Sequence, residues 1–169
     1  MPETNYPTAL FPPANAVVAV DEAMLSQGKA ASRESPRGRI IQPLHKQDGD
    51  VLQRMLNFIQ PGSYIRPHRH RPDRAESIIV VSGTLLYLTF NNDGAVDQAL
   101  KLKAGSTQFG VDTDGGIWHC FMALEADTVL FEVKPGPYDA AGDKAFAPWA
   151  PEEDSPEAEA YLEGLIDGY

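Results

Sequence analysis

From Ile40 onward, short apolar runs alternate with turn signals, and no helical stretch fits between them. "VLQRMLNFI" (51–59) stops at Pro61-Gly62. "ESIIVVSG" (76–83) is β-branched, too short for a helix, and ends on Gly83. "TLLYLTF" follows, and Asp93-Gly94 within "NNDG" fits a tight hairpin turn into "AVDQALKL". "DGGIWHCFMALE" reads as a turn feeding a strand, and "ADTVLFEVKPGP" as a strand closed by Pro and Gly. Seven or so short strands at this spacing predict an antiparallel sandwich or barrel.

The flanks read differently. The first 20 or so residues are proline-rich and predict an arm. Asp21 is placed to cap a short helix in "EAMLSQGKAASRES", weakened by Gly28. In "SPEAEAYLEGLI" Ser155 is the expected N-cap and Pro156 the first helical residue, with Leu162, Leu165 and Ile166 forming one apolar stripe. The chain therefore divides into an arm and helix (1–39), a barrel (40–137) and a C-terminal extension with a last helix (138–169).

Acidic residues number 24 against 14 basic ones, a net charge of −10. Such a surface repels nucleic acid and anionic lipid, so neither is an expected partner. Cys120 is the only cysteine, which excludes an intrachain disulfide and a Cys-based zinc finger; it reads as a small buried hydrophobe. The start carries no basic stretch before its short apolar run, so neither a signal peptide nor a membrane span is expected, and the expected compartment is the cytoplasm.

Half of the chain's four histidines fall in "RPHRHRPDRAE" (66–76). Residues two apart on a strand share a face, so His68 and His70 project together. Glu76 opens the next strand, and a hairpin is expected to return it opposite the pair. His119, in "GGIWHCF", is the natural fourth ligand from a strand distant in sequence. Three imidazoles and a carboxylate suit one divalent Fe, Mn, Ni or Zn. The same parity carries Tyr64 and Arg66 inward as substrate contacts, with Arg66 on an anionic group, and turns Arg69 and Arg71 outward. His45 is weighed both as an ordinary strand histidine and as a further substrate contact.

These spacings resemble the cupin motifs. The first cupin motif runs Gly, five residues, His-X-His, three or four residues, Glu, six residues, Gly. Here Gly62, His68, His70, Glu76 and Gly83 match it, with five residues before the Glu. In the second motif Gly116 and His119 match, while Asp114 replaces a Pro and Ala123 an Asn. The wording "SPRGR", "PLH", "QRMLNFIQPGSYIRPHRH", "FEVKPGPYD" and "KAFAPWAPEE" resembles more specifically the WbuC-type cupin fold metalloproteins. That resemblance implies an all-β cupin jelly-roll barrel with one metal on His68, His70, Glu76 and His119, and an association with bacterial surface-polysaccharide genes.

Three functions follow as expectations. The first is a metal-dependent enzyme acting on a small polar, anionic molecule such as a sugar or sugar nucleotide. The second is a non-catalytic, metal-containing saccharide-binding or sensor module. The third, a metal-independent epimerase, needs an unligated histidine base, which an intact ligand set argues against. A homodimer is expected as well, because a single jelly roll leaves sheet edges to cover.

Overall fold

A computed structural model describes residues 6–169, and the first five residues of the expected arm lie outside it. Helix α1 (Glu22–Glu34) precedes strands β1 (Arg39–Pro43), β2 (Leu52–Ile59), β3 (His68–Arg69), β4 (Glu76–Ser82) and β5 (Thr84–Phe90). Strands β6 (Val96–Lys103), β7 (Gly110–Thr113), β8 (Trp118–Ala123), β9 (Thr128–Pro135) and β10 (Ala145–Phe146) follow, and helix α2 (Ala158–Asp167) ends the chain. The strands form two five-stranded sheets, β1-β2-β9-β4-β7 and β10-β3-β8-β5-β6, and every strand pairing within them is antiparallel. This is the expected jelly roll with a helix at each end. β1, β7 and β10 exceed the strands read from the runs, and β10 brings part of the C-terminal extension into the second sheet.

Burial explains the run types. Ile78, Val80, Leu85, Tyr87, Phe121 and Leu130 point between the sheets and form the barrel interior. β4 alternates because its outer positions Ser77, Ile79 and Val81 are exposed. β5 is buried almost throughout, because Leu86, Leu88 and Phe90 face a second core under the C-terminal segment. That is why "TLLYLTF" reads as a continuous apolar run rather than an alternating one. Gly83 joins these strands at φ 79°, and a Cβ there would press on Thr128.

Asp21 caps α1 as expected, accepting from Met24 N at 3.0 Å. Gly28 is not simply a weak helix residue: it is buried against the ring of Phe58, which fills the space a Cβ would take. A mid-helix Gly→Ala change ordinarily stabilises by about 1 kcal/mol. Gly28→Ala is expected to do the reverse, because Phe58 is fully buried and cannot move aside without a cavity. A urea midpoint above that of the parent would contradict this packing.

The last helix starts later than the sequence indicates. Glu157 takes the N-cap position without a side-chain bond, and the Ser155 hydroxyl is buried with no partner. Glu153, bound by Arg37 at 3.1 Å and Arg39 at 2.5 Å, fixes the chain's entry and leaves residues 153–157 in a turn. A missing cap costs about 1 kcal/mol, whereas burying Leu162 contributes roughly 1.5–3, so packing holds α2. Leu162 is buried against the chain's own second sheet, and Leu165 and Ile166 are partly buried beside it. Exposed apolar residues remain in the arm at Phe11 (94%) and Val17 (89%). Cys120 is buried, and burial pushes its thiol up in pKa. No helix among the described residues is long and apolar enough to cross a membrane.

Candidate metal centre

His68, His70 and His119 converge inside one end of the barrel. β3 and β8 are neighbours, and His68 lies directly across from His119 with ring centroids 4.6 Å apart. His70 follows two residues on, its carbonyl accepting from Gly116 N at 3.0 Å. One ring nitrogen from each histidine lies within 4.8 Å of the others, and all three residues are buried, a group that could hold a metal ion. Behind them, Tyr87 stacks on His119 at 5.7 Å and its hydroxyl bonds Thr113 at 2.8 Å.

Glu76 reaches this group by a different route from the one expected. It opens β4, which belongs to the other sheet, so no hairpin pairs it with the histidine strand. It faces the histidines across the barrel, with Oε1 3.4 Å from His70 Nε2 and Oε2 3.4 Å from His119 Nε2. The roles read from spacing are thus exchanged: His119 is the in-sheet neighbour, and Glu76 comes from the facing sheet. "RPDRA" is a crossing between sheets.

Each Nδ1 lies against a backbone carbonyl, which can only accept. His68 bonds Arg66 O at 3.0 Å, His70 bonds Asp143 O at 2.8 Å, and His119 bonds Ile117 O at 2.9 Å. The Nδ1 atoms therefore carry protons, and the Nε2 atoms point into the cavity, where they are free to bind a cation. Nε2 of His70, Nε2 of His119, Oε2 of Glu76 and the Thr89 hydroxyl oxygen are all buried without a hydrogen-bond partner. Thr89 pairs with His119 and so shares its face. Nε2 atoms facing carboxylate oxygens need a cation between them, a proton or a metal ion, and this donor set fits a divalent transition metal. Burial, then the charge of Lys144, hold His68 well below the ordinary imidazole range. Burial raises the Glu76 pKa, and hydrogen bonds donated by His119 and His70 when their Nε2 atoms carry protons hold it well below the usual carboxylate range; a bound metal cation would take the place of those protons.

A second layer of charge surrounds the group and was not read from the sequence. Lys134 Nζ lies 3.3 Å from Glu132 and 3.4 Å from Asp143, and Arg74 lies 3.3 Å from Asp143. Asn57 donates to Glu132 at 2.8 Å. Burial and the Glu76 charge raise the Glu132 pKa, while Glu132, Glu76 and Asp143 raise that of Lys134 against the lowering effect of burial. Glu132 and Lys134 share the inward parity of Leu130, so charges on the apolar face of "TVLFEVKP" were the available signal. Asp143 lies in "DAAGDKAF", which has no periodicity to read.

The expected substrate contacts are placed elsewhere. Only His68 and Arg69 form β3, so strand alternation does not extend back through Pro67. Tyr64 packs in the outer core, and its hydroxyl donates to Pro151 O at 3.0 Å. It also lines a cavity of about 620 Å³ beside α2, which none of the three histidines enters. Arg66 lies over the Phe146 ring at 5.4 Å, donates to Ala147 O at 3.0 Å and stands 3.7 Å from Glu152. The C-terminal segment thus holds its guanidinium, and no hydrogen bond joins that group to the histidines. Arg69 faces outward as expected, over the Trp118 ring at 4.3 Å. His45 bonds the backbone of Arg54 through Nδ1, at 2.9 Å to its carbonyl, and ties the end of β1 to β2.

A family model described as a domain of unknown function (DUF6016) matches residues 20–102. Comparison with curated proteins returned no match. Among solved structures, the chain is similar to an oxalate oxidase in complex with the substrate analogue glycolate, at 16% identity and a TM-score of 0.51, over 68% of this chain and 58% of that one. It is also similar to the capsular polysaccharide assembling protein CapF from Staphylococcus aureus, at 22% identity and a TM-score of 0.51, over 63% of this chain and 31% of that one. The chain thus spans less than two thirds of the length of either. At these identities the likeness shows the fold, a cupin-type jelly roll.

Proposed function

We propose that this cupin-fold chain binds one divalent transition metal (Fe, Mn, Ni or Zn) through His68, His70, His119 and Glu76, and acts on a small anionic molecule. One observation carries the reading: buried Nε2 atoms of His70 and His119 face the oxygens of Glu76, with every Nδ1 already bonded to a carbonyl. When bound, the metal supplies a Lewis acid or a dioxygen site. The carbonyls of Arg66, Asp143 and Ile117 fix the three rings. Tyr87 and Thr113 wall the site, and Glu132, Lys134 and Asp143 set its charge. A saccharide-derived ligand is supported by the WbuC-type wording and, at the level of fold, by the capsular polysaccharide assembling protein.

A binding or sensor module is favoured by a different fact. Glu132 and Asp143 are both engaged, by Asn57, Lys134 and Arg74, which leaves neither free as a base. Turnover decides between the two. Sugar nucleotides and sugar acids are screened with metal-loaded protein; activity lost on chelation and restored by one metal supports the enzyme, and tight binding without turnover supports the module. The reading also keeps a homodimer, now resting on the arm's exposed Phe11 and Val17, and light scattering showing a monomer at micromolar concentration would remove it.

A further inference from the structure

We infer that Lys144 binds the anionic group of a ligand held at the three-histidine cavity, and that this ligand is a small oxyanion, a carboxylate or a phosphate. The inference rests on the metal-site reading and names what that site recognises.

Strand register puts Lys144 there. β10 pairs with β3 so that Ala145 faces Arg69 and Phe146 faces His68. One step along the same register sets Lys144 beside His70, and the preceding carbonyl, Asp143 O, accepts from His70 Nδ1. Residues across from one another in a sheet share a face. Lys144 therefore projects with His68 and His70 into the barrel end, while Ala145 projects outward with Arg69.

The other cations nearby have protein partners. Lys134 is bound by Glu132 and Asp143, Arg74 by Asp143 and Pro137 O, and Arg66 by Ala147 O through one nitrogen, with its buried Nε left without a partner and its guanidinium over the Phe146 ring. Among the described residues, the Lys144 ammonium has no hydrogen bond and no ion pair. The carboxylates Glu76, Glu132 and Asp143 are matched one for one by Arg74, Lys134 and Lys144, so the cavity is balanced before a divalent cation enters. A bound divalent cation leaves uncompensated positive charge where attraction is stronger than in water. An oxyanion restores the balance and gives Lys144 the partner it lacks.

The test loads the protein with Co²⁺ and follows cobalt absorbance during titration with acetate, with inorganic phosphate, and with neutral imidazole. Lys144→Gln is expected to keep cobalt stoichiometry, weaken the better-bound anion tenfold or more, and leave imidazole affinity unchanged. Lys144→Met, neutral and of similar length, serves the same comparison should the glutamine variant not fold. Lys144→Arg should stay within threefold of the parent. Tighter acetate assigns a carboxylate ligand, and tighter phosphate assigns a phosphate. Equal anion affinity in parent and neutral variants, an equal loss for imidazole, no anion binding by the parent, or a larger loss from Arg66→Ala would overturn the role of Lys144 while leaving the metal site intact. Failure of the parent to take up Co²⁺ would overturn the metal site itself.

Discussion

Replacing His119 by alanine is expected to reduce bound metal from one per chain to below a tenth, with the barrel still folded. His119 is buried, paired with His68 across the β3–β8 ladder, and one of two rings whose Nε2 faces Glu76. Its loss removes a ligand from the centre of the set and also a partner of Glu76 in the metal-free protein. The two effects separate cleanly in stability. Metal at a thousandfold excess over its Kd stabilises a folded protein by about 4 kcal/mol. The parent should show that gain as a rise in Tm on metal addition, and His119→Ala should show none. Acid acts in the same direction. The folded-state pKa of His68 is depressed by burial and by Lys144, so the unfolded chain takes up more protons as pH falls below about 6.5. Stability contributed by neutral His68 is therefore present above that pH and lost on the way down to its folded pKa, and bound metal should be released as the ligands protonate. Retention of metal by His119→Ala, measured by elemental analysis, would remove it from the ligand set.

Lys134→Met is expected to cost about 3–5 kcal/mol of stability, the scale for breaking a buried ion pair from one side. Methionine matches the length and apolar stem of lysine, so the change isolates the charge. Without the ammonium, Glu132 and Asp143 lose a partner at 3.3 and 3.4 Å, and both are buried. Glu132 also lies close enough to Glu76 for that charge to raise its pKa, so the loss leaves two carboxylates facing each other at the metal site. Domains of this size are stable by only about 5–15 kcal/mol. The variant should therefore unfold at much lower urea, and Lys134→Met combined with Glu132→Gln should recover part of the loss. A cost below about 1 kcal/mol would mean that water reaches this cluster and screens it.

The strands were legible where one local rule decided them. "ESIIVVSG", "TLLYLTF" and "ADTVLFEVKPGP" became β4, β5 and β9, because β-branched and aromatic runs bounded by Gly and Pro have few other options. Asp21 capped its helix because capping is a contact three residues long. The misreadings all came from long-range partners. Glu153, held by Arg37 and Arg39, moved the start of α2 past Ser155. The C-terminal segment took the guanidinium of Arg66 and the hydroxyl of Tyr64 away from the cavity. Sheet membership was not readable either: an eleven-residue stretch from Arg66 to Glu76 looks the same whether it forms a hairpin or crosses between sheets. The histidine pair survived that uncertainty, because the chain stays extended one residue past β3 and Asp143 O holds the His70 ring beside that of His68. Asp143 and Lys144, the partners that complete the site, come from a segment with no pattern at all.

X-ray absorption at the metal edge of protein loaded with one equivalent of Zn²⁺ reads the three-histidine ligand set itself. The expected spectrum has a first shell of nitrogen and oxygen with the outer-shell signature of three imidazoles, reduced to two in His68→Ala. A shell of oxygen alone, or one unchanged by that substitution, would contradict it.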